Sequence, residues 1–477
     1  MGGPYKVPGV YIEEDHSLSL SVLSGATAIP VFVGQFFKPG KNKEDPPISI
    51  PEGADPVACV RVNNWAEFTK QFVSTLDLKS AVLKVTNDAI TGTWDVVPDS
   101  ASAVSVQAYF ENGGGPCYIL SINNGQTVTP SSDIESAILA YPDISLLCYC
   151  GNALSEPNNV KTVFRSLIDP QKNLGYFVLT DSNLDNVKNV DFGNKEQVAI
   201  YYPALQMKYQ MTIPDDRQIA LSGNFKSFSS AGSPLPQTLE SLIDHKPKND
   251  AEQRDKEELI GKIRSLSAIP LRASGVMAGV YARTDALRGV WKAPANVTLS
   301  SVKGTVWPCP TPQQVLQKAP QPVKVTDEDQ EKLNPVGINA IRYFTNQQAY
   351  VVWGARTQNG TDDNPDKRWR YIPVRRLFNA AERDIKAAMR QVVFEPNSQP
   401  TWEKVRAAID TYLYAIWGKG GLQGAKPEEA YFVQVGKNVT MTDADIRAGK
   451  MIVKVGIAAA RPAEFIILQF SQKQQDE

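Results

Sequence analysis

Three kinds of residue in this chain have side chains suited to catalysis or metal binding: histidines, closely spaced cysteines and a carboxylate at a strand end. The 477 residues include only two histidines, His16 and His245, so the sequence contains neither an HExxH motif nor a histidine cluster. Cys148 and Cys150 would share one face of a strand, but two thiols without a nearby histidine or second cysteine pair make a poor zinc site. We therefore expect no metal and no histidine-based acid–base catalysis.

Motifs for phosphate binding and for an activated serine are also missing from the sequence. The GGGP stretch at 113–116 lacks GxGxxG spacing, GKGG at 418–421 lacks the rest of a P-loop, and no GxSxG elbow occurs. The remaining candidate is Asp181, at the end of the strand-like run GYFVLTD, because ligands of open parallel sheets bind beyond the carboxyl ends of strands. A cap of the next helix explains this aspartate as well. We expect no cofactor and no enzymatic activity, with an α/β enzyme using Asp181 as the alternative.

Aromatic and basic residues interleave in KRWRYIPVRR, at 367–376. On a strand, Arg368 and Arg370 would share one face, with Trp369 and Tyr371 on the other. A surface that binds single-stranded nucleic acid needs rings and cations on the same exposed face. The whole chain has 50 basic and 51 acidic residues, a net charge of −1, which also argues against nucleic acid as the main partner. The alternation therefore favours a structural role.

The composition is that of a globular, multi-domain protein. Hydrophobic residues make up 42% and charged residues 21%, and the length allows two or three domains. Five cysteines, an odd number spread over a long chain, indicate reduced and mostly buried thiols. The N-terminal residues show no apolar signal region and no run reaches membrane-spanning length. We expect synthesis in the cytoplasm.

The pattern of apolar residues predicts a mixed α/β fold. From residue 60 to about 205, strand-like runs alternate with helical ones, which indicates a largely parallel sheet. RWRYIPVRR is expected to be a strand, followed by two amphipathic helices over 376–393 and 402–417. The predicted divisions are an N-terminal arm and segment (1–36), a Pro-rich loop (37–59), an α/β region (60–307) with a polar insertion (206–270), a connector (308–334) and a C-terminal domain (335–477).

Several short stretches, in order along the chain, carry a family resemblance. They are PGVYIEE (8–14), TAIPVFVG (27–34), NGGGPCYIL (112–120), GVYARTDALRGVWKAPAN (279–296), LNPVGINAIRYF, VVWGART, RWRYIPVRRL, VFEPN, Trp402 and PAEFI (462–466). With these, the chain resembles contractile tail sheath proteins of phage tails and of phage-tail-like injection particles. The resemblance covers almost the whole chain, apart from 37–59, 206–270 and 308–334.

The resemblance implies a multi-domain structural subunit that polymerises helically around an inner tube and contracts without nucleotide hydrolysis. An inner domain would combine the C-terminal region with the N-terminal segment, and middle domains would project outward. Both chain ends would add strands to the sheets of neighbouring subunits. The implied exchange strands contain Val10, Tyr11, Ile12 and Glu13 at one end, and Glu464, Phe465, Ile466, Ile467 and Leu468 at the other.

Charged residues of the C-terminal region are the candidates for further contacts. The resemblance places a tube-attachment helix near Lys404, Arg406 and Lys419. Arg368, Arg370, Arg375 and Arg376 are candidates for contacts between subunits. The expected partners are further copies of the chain, sheath paralogues, the tube protein, and baseplate and cap proteins, with no nucleic acid and no membrane insertion. A minor paralogue that caps or starts the sleeve at the baseplate is an alternative, and the host particle is a phage tail or a released or cell-associated contractile particle.

Overall fold

A computed structural model of the chain describes residues 20–39, 48–49, 57–74, 78–86, 89–96, 101–122, 128–151, 156–182, 185–210, 215–224, 236–265, 268–307 and 321–465. The chain divides into two compact units. The large unit comprises Gly25–Ala381 and Ala459–Glu477, and the small unit comprises Met1–Ser24 and Glu382–Ala458. None of the helices in the described ranges is long and apolar enough to cross a bilayer.

The strands are numbered in chain order. β1 to β10 are Pro30–Gly34, Phe37–Lys38, Ile48–Ser49, Cys59–Val62, Leu78–Thr86, Ala89–Val96, Cys117–Ser121, Leu146–Tyr149, Phe177–Asp181 and Val198–Tyr202. β11 to β20 are Ala204–Gln210, Ile219–Asn224, Ala268–Leu271, Val297–Thr298, Val302–Trp307, Gln321–Pro322, Ile338–Phe344, Ala349–Trp353, Tyr431–Val435 and Val453–Ile457.

The helices in the described residues are numbered in the same way. α1 to α6 are Trp65–Gln71, Ala101–Glu111, Ser131–Leu139, Asn158–Leu167, Leu239–Asp244 and Asp250–Ser265. α7 to α12 are Ala273–Arg288, Asp327–Leu333, Ile372–Met389, Gln399–Gly418, Pro427–Ala430 and Asp443–Arg447.

A nine-stranded sheet, in the order β14-β18-β17-β10-β9-β8-β1-β7-β4, forms the centre of the large unit. The six strands from β17 to β7 are mutually parallel, and antiparallel strands flank them on both sides. Strands buried on both faces read as continuous apolar runs, as in PVFVG of β1, where every residue is buried. The sequence prediction of a largely parallel α/β sheet is confirmed.

Each face of this sheet has its own hydrophobic core. Phe32 of β1 packs in one core with residues of α2 and α7, including Tyr109 and Met277. Val31 and Val33 point to the other core, with residues of α3 and α4. This alternation follows from the two-residue period of a strand and gives a three-layer α/β/α arrangement.

The described residues of the large unit also form three smaller sheets. Their orders are β13-β11-β15-β16, β12-β5-β6 and β2-β3. The predicted polar insertion at 206–270 supplies β12, which pairs in parallel with β5, and its helices bury Leu242 and Ile263. In its described part, the insertion is therefore folded and is paired with another segment of the same unit.

The small unit, in its described residues, is built on the long helix α10 and the antiparallel pair β19–β20. The predicted apolar stripe of α10 is buried, from Trp402 through Ile409 to Ile416. Trp402 packs with Val435 of β19 and Met441 in a separate hydrophobic cluster. The apolar faces of α10 and of the β19–β20 pair therefore share one hydrophobic cluster.

The unit boundaries differ from the predicted divisions. Residues 335–381 were expected in a C-terminal domain, but Ile338 of β17 pairs with Ile200 of β10 in the central sheet, so this stretch belongs to the large unit. Parallel strands from distant parts of a chain leave no local signal of their pairing. The described part of the connector also holds a short helix, α8, whose cap is Thr326.

Two helical glycines give opposite predictions for the same substitution. A Cβ on Gly279 of α7 would lie 2.4 Å from the backbone oxygen of Tyr109 in α2, whereas a Cβ on Gly261 of α6 would meet nothing within 4 Å. Alanine is favoured over glycine in helices by about 1 kcal/mol, but overpacking costs about 1–3 kcal/mol. We expect Gly261→Ala to raise the unfolding midpoint in urea and Gly279→Ala to lower it. Equal shifts for both variants would contradict the tight α2–α7 packing.

Candidate assembly site

The basic and aromatic run at 368–376 is not a strand, so that part of the sequence prediction is wrong. Tyr371 makes one isolated bridge to Arg356, and helix α9 begins at the next residue, Ile372. Pro373 suits the first turn of a helix, where its missing N–H leaves no bond unmade. Tyr371 and Ile372 have side chains typical of strands, but the proline that follows them lies in the first turn of a helix.

Starting a helix at Ile372 turns two of the four arginines inward. Arg375 and Arg376 have side chains only 6% and 3% exposed, although contacts with other subunits were expected of them. The guanidinium of Arg375 lies 4.1 Å from the Trp369 ring centroid, and its Nε donates to Asn379 Oδ1 at 2.8 Å. We expected the rings and the cations on opposite faces of a strand, but Arg375 instead stacks on Trp369 inside the large unit.

Arg368 and Arg370 remain near the surface. Arg368 has a side chain that is 77% exposed and pairs with Asp366 at 2.8 Å. Arg370 pairs with Asp362. Contacts of these two arginines with a neighbouring subunit stay a prediction.

Arg376 belongs to a buried cluster that we name the Thr27 anchor: Thr27, Tyr281, Asp285 and Arg376. Arg376 binds the Asp285 carboxylate with two nitrogens, at 3.0 and 2.6 Å. The Thr27 hydroxyl donates to Asp285 Oδ2 at 2.5 Å, and the Thr27 carbonyl accepts from Arg376 Nη2 at 3.0 Å. The guanidinium also lies 4.6 Å from the Tyr281 ring centroid. Asp285 therefore binds the side chain of Thr27, and Arg376 binds its backbone carbonyl.

A second cluster, the Glu464 anchor, comprises Asn334, Arg356, Asp362, Tyr371 and Glu464. Arg356 is 1% exposed and donates to both carboxylate oxygens of Glu464, at 2.7 and 2.9 Å. Asn334 and Tyr371 donate to the same carboxylate at 3.0 and 3.1 Å. The other end of the guanidinium donates to Asp362 at 3.0 Å. Glu464 was predicted in an exchange strand, and in this chain its side chain is bound within the large unit.

The enzyme candidate Asp181 lies in a third buried arginine cluster. Arg272, also 1% exposed, contacts Asp181 at 3.1 Å and Glu156 at 2.5 Å. Asp181 also accepts the N–H of Ser274, in the first turn of α7, at 3.1 Å. Burial raises the pKa of Asp181, against the opposing effects of Arg272 and Ser274. The aspartate thus caps α7, rather than the next helix in the chain, and it joins a strand end to that helix.

These clusters follow from the cost of removing a guanidinium from water. An unpaired buried charge costs several kcal/mol, and a bidentate carboxylate with further hydrogen bonds offsets that cost. Replacing one partner of such a pair typically destabilises by about 3–5 kcal/mol because the other charge stays buried and unpaired. Each arginine therefore fixes the position of the segments that carry its partners.

The small unit presents a two-stranded sheet and an exposed helix face. In the part of the chain that the structure describes, β19 and β20 pair only with each other, so each has an edge with unused backbone groups. Phe432 of β19 is 53% exposed. A cleft of about 460 Å³ lies between the segment 20–24, except Leu23, and residues of α10 that include Lys404, Ala407 and Tyr412.

The predicted tube-attachment residues differ in their surroundings. Lys404 and Lys419 are exposed, and Arg406 is exposed but paired with Glu403 one turn earlier on α10. Phe465 is 71% exposed. Val10, Tyr11, Ile12 and Glu13, and also Ile466, Ile467 and Leu468, lie outside the described residues.

Sequence reasoning missed Thr27, Asp285, Asn334 and Arg356. The available signal was the lone arginine in VVWGARTQ, since an arginine beside a buried strand requires a carboxylate partner. Its partner lies 108 positions later in the sequence, and nothing local indicates which of the acidic residues it is.

The Glu464 anchor predicts an acid-sensitive contribution to stability. Burial raises the pKa of Glu464, but the hydrogen bonds and charge of Arg356 outweigh it, so the pKa lies below its ordinary value. The stabilisation is thus complete above the unfolded-state pKa of about 4.3 and is lost as the pH falls through the lower folded value.

We expect Glu464→Gln to lower the free energy of unfolding by about 3 kcal/mol at pH 7, measured by denaturant titration. The difference from wild type should shrink between about pH 5 and pH 3. A difference that does not depend on pH would contradict an ionised Glu464 in the folded chain.

Comparison with known proteins places this geometry in a family. A family model described as the phage tail sheath C-terminal domain matches residues 364–473. The tail sheath protein of Vibrio phage KVP40 is 27% identical over 202 residues, which are 42% of this chain and 26% of that protein. The matched region thus spans about a quarter of the phage protein.

Solved structures are similar over nearly the full length. A chain of the anti-feeding prophage helical sheath in its contracted state is 37% identical, with a TM-score of 0.64, covering 98% of this chain and 100% of that chain. The sheath of PVC, an extracellular contractile injection system, is 35% identical in its contracted state, with a TM-score of 0.62 and 99% coverage of both chains. A chain in the anti-feeding prophage baseplate is 36% identical, with a TM-score of 0.66, covering 98% of this chain and 100% of that chain. At this identity and coverage, the chain belongs to the family of contractile tail sheath proteins.

Proposed function

We propose that this sheath subunit polymerises helically around an inner tube and contracts to drive the tube through a target envelope. The observation that carries the proposal is the similarity over 98–99% of the chain to chains of two sheaths in the contracted state, one of them described as helical. Work in such an assembly comes from the free-energy difference between two packings of the same subunits. No catalytic step is needed, and we propose that the chain is not an enzyme.

Strand exchange between copies is the proposed link in the lattice. The β19–β20 pair offers strand edges, and the proposed exchange strands are the sequence segments 10–13 and 464–468. Adding a strand to an open edge satisfies backbone groups on both partners. Each contact joins different surfaces of the two copies, so the interaction does not close into a small ring and it generates a helix.

The large unit has the properties of a body that moves without internal change during contraction. Its central sheet is buried on both faces, and close-packed interiors of this kind resist continuous deformation. The extended lattice would then be a kinetically trapped state, released at one end. Contraction proceeds through changes between subunits, while the exchanged strands keep them connected.

The tube-facing surface is proposed to lie on α10 of the small unit. Lys404 on this helix and Lys419, the residue that follows it, are exposed, and Arg406 is engaged with Glu403. Exposed charges give weak, salt-sensitive attraction. Such an interface holds the tube in the extended state and releases it as the sheath moves outward.

The first test is electron microscopy of the wild-type chain and of a variant lacking residues 1–14. We expect wild type to form long striated tubes and the truncated chain to stay as folded single subunits, since it lacks one exchange strand. Removal of residues 1–4, before that strand, is the control and should leave tubes unchanged.

Two outcomes separate the alternatives. Normal tubes from the chain lacking residues 1–14 would exclude N-terminal strand exchange. Small uniform particles from wild type, alone and with the tube protein, would exclude the main sheath role. Incorporation only at one end of the sleeve would instead assign the chain to the baseplate, where a similar chain also occurs.

Charge reversal tests the tube contact. The double change Lys404→Glu and Lys419→Glu should abolish co-assembly with the tube protein and spare sheath tubes formed alone, because the strand edges are untouched. Lys437→Glu, which alters a residue paired with Asp443 in the same unit, is the matched control. Co-sedimentation with the tube at two salt concentrations measures the effect, and unchanged co-assembly of the double variant would exclude these lysines.

A further inference from the structure

Both buried anchors lie where the chain passes between its two compact units. The chain enters the large unit after Ser24 and re-enters it after Ala458. Thr27 follows the first passage within three residues, and Glu464 follows the second within six. Each of these two residues is held by a bidentate arginine–carboxylate pair, from Arg376 and from Arg356.

The contacts at Thr27 restrain the chain in more than one direction. Its hydroxyl donates to Asp285 at 2.5 Å and its carbonyl accepts from Arg376 at 3.0 Å. The Ser145 hydroxyl, at the start of the buried strand β8, donates to the same carbonyl at 2.9 Å. A pull on residues before Thr27 is therefore opposed by three hydrogen bonds that lead into α7, α9 and the central sheet.

Glu464 is restrained in the same manner at the other end. Its two carboxylate oxygens receive four hydrogen bonds, from Arg356, Asn334 and Tyr371. Arg356 is held in turn by the Asn334 carbonyl at 2.8 Å and by Asp362. The planar guanidinium fixes the direction of the carboxylate as well as its distance.

We propose that the Thr27 and Glu464 anchors are positioning devices that hold the roots of the two terminal arms on the large unit. This inference rests on the proposed exchange of terminal strands between subunits. A pulling force on an exchanged arm would then be borne by a buried ion pair. The strand next to that pair in the chain would stay in its sheet.

The Arg272 cluster is a natural control for these anchors. It is as deeply buried as they are, with side-chain exposures of 1% for Arg272 and 6% for Asp181. It lies between β9 and α7, far in sequence from either passage between the units. Breaking it should weaken the fold and leave both arm roots in place.

Hydrogen exchange on the full-length chain before assembly tests the anchors directly. Glu464→Gln should raise exchange at 459–465 at least about 10-fold, because local opening no longer breaks an ion pair. Thr27→Val should do the same at 25–30, and Thr27→Ser, which keeps the hydroxyl, should restore protection. Asp181→Asn should raise exchange only around β9 and the start of α7. Wild-type exchange at 459–465 in Glu464→Gln would overturn the proposal.

Tube assembly then tests the role of the anchors. At temperatures equally far below each variant's melting point, we expect tubes of Glu464→Gln and Thr27→Val to be several-fold shorter than wild type, and those of Asp181→Asn and Thr27→Ser to be of normal length. Raised local exchange with tubes of normal length would exclude a role in arm positioning. Absence of tubes from wild type would count against the proposed function, while the exchange result would still decide whether the anchors exist.

Discussion

The desolvation cost of arginine is the constraint on which much of the large unit depends. Arg272, Arg356 and Arg376 are 1–3% exposed, and a guanidinium without a carboxylate partner is not tolerated at such depth. Each pair joins segments that are distant in sequence: β9 with α7, the N-terminal segment with α7 and α9, and the C-terminal segment with the end of β18. The ion pairs thus determine which segments lie together, and they also contribute to how tightly those segments are held.

These ion pairs are attached to a central sheet that is rigid without them. The parallel strands of the central sheet are covered on both faces by two separate cores, so the sheet is buried where its carboxyl-end residues meet the helices. Asp181 illustrates the consequence, because a position typical of a ligand site in open α/β sheets is filled by Arg272 and Ser274. A fold shared with many enzymes here serves as a body for assembly.

The proposed function assigns two tasks to two kinds of surface. Edges of the β19–β20 pair offer backbone hydrogen bonds, which are directional, and we propose them for contacts that persist through contraction. The exposed Lys404 and Lys419 offer screened charge, and we propose them for a contact with the tube that is broken once. In this proposal the permanent connection ends at buried ion pairs and is separate from the reversible contact.

The sequence by itself determined the α/β class, the strands at Cys148 and before Asp181, which are β8 and β9, and the amphipathic helix α10, because the period of apolar residues is a local property. Short motifs, in order along the chain, also indicated the family. Only the tertiary structure decided that RWRYIPVRR enters a helix, that β17 joins the central sheet and that Arg356 binds Glu464. Pairing of distant strands and choice among many acidic partners depend on where the whole chain brings residues together, and no local pattern encodes that.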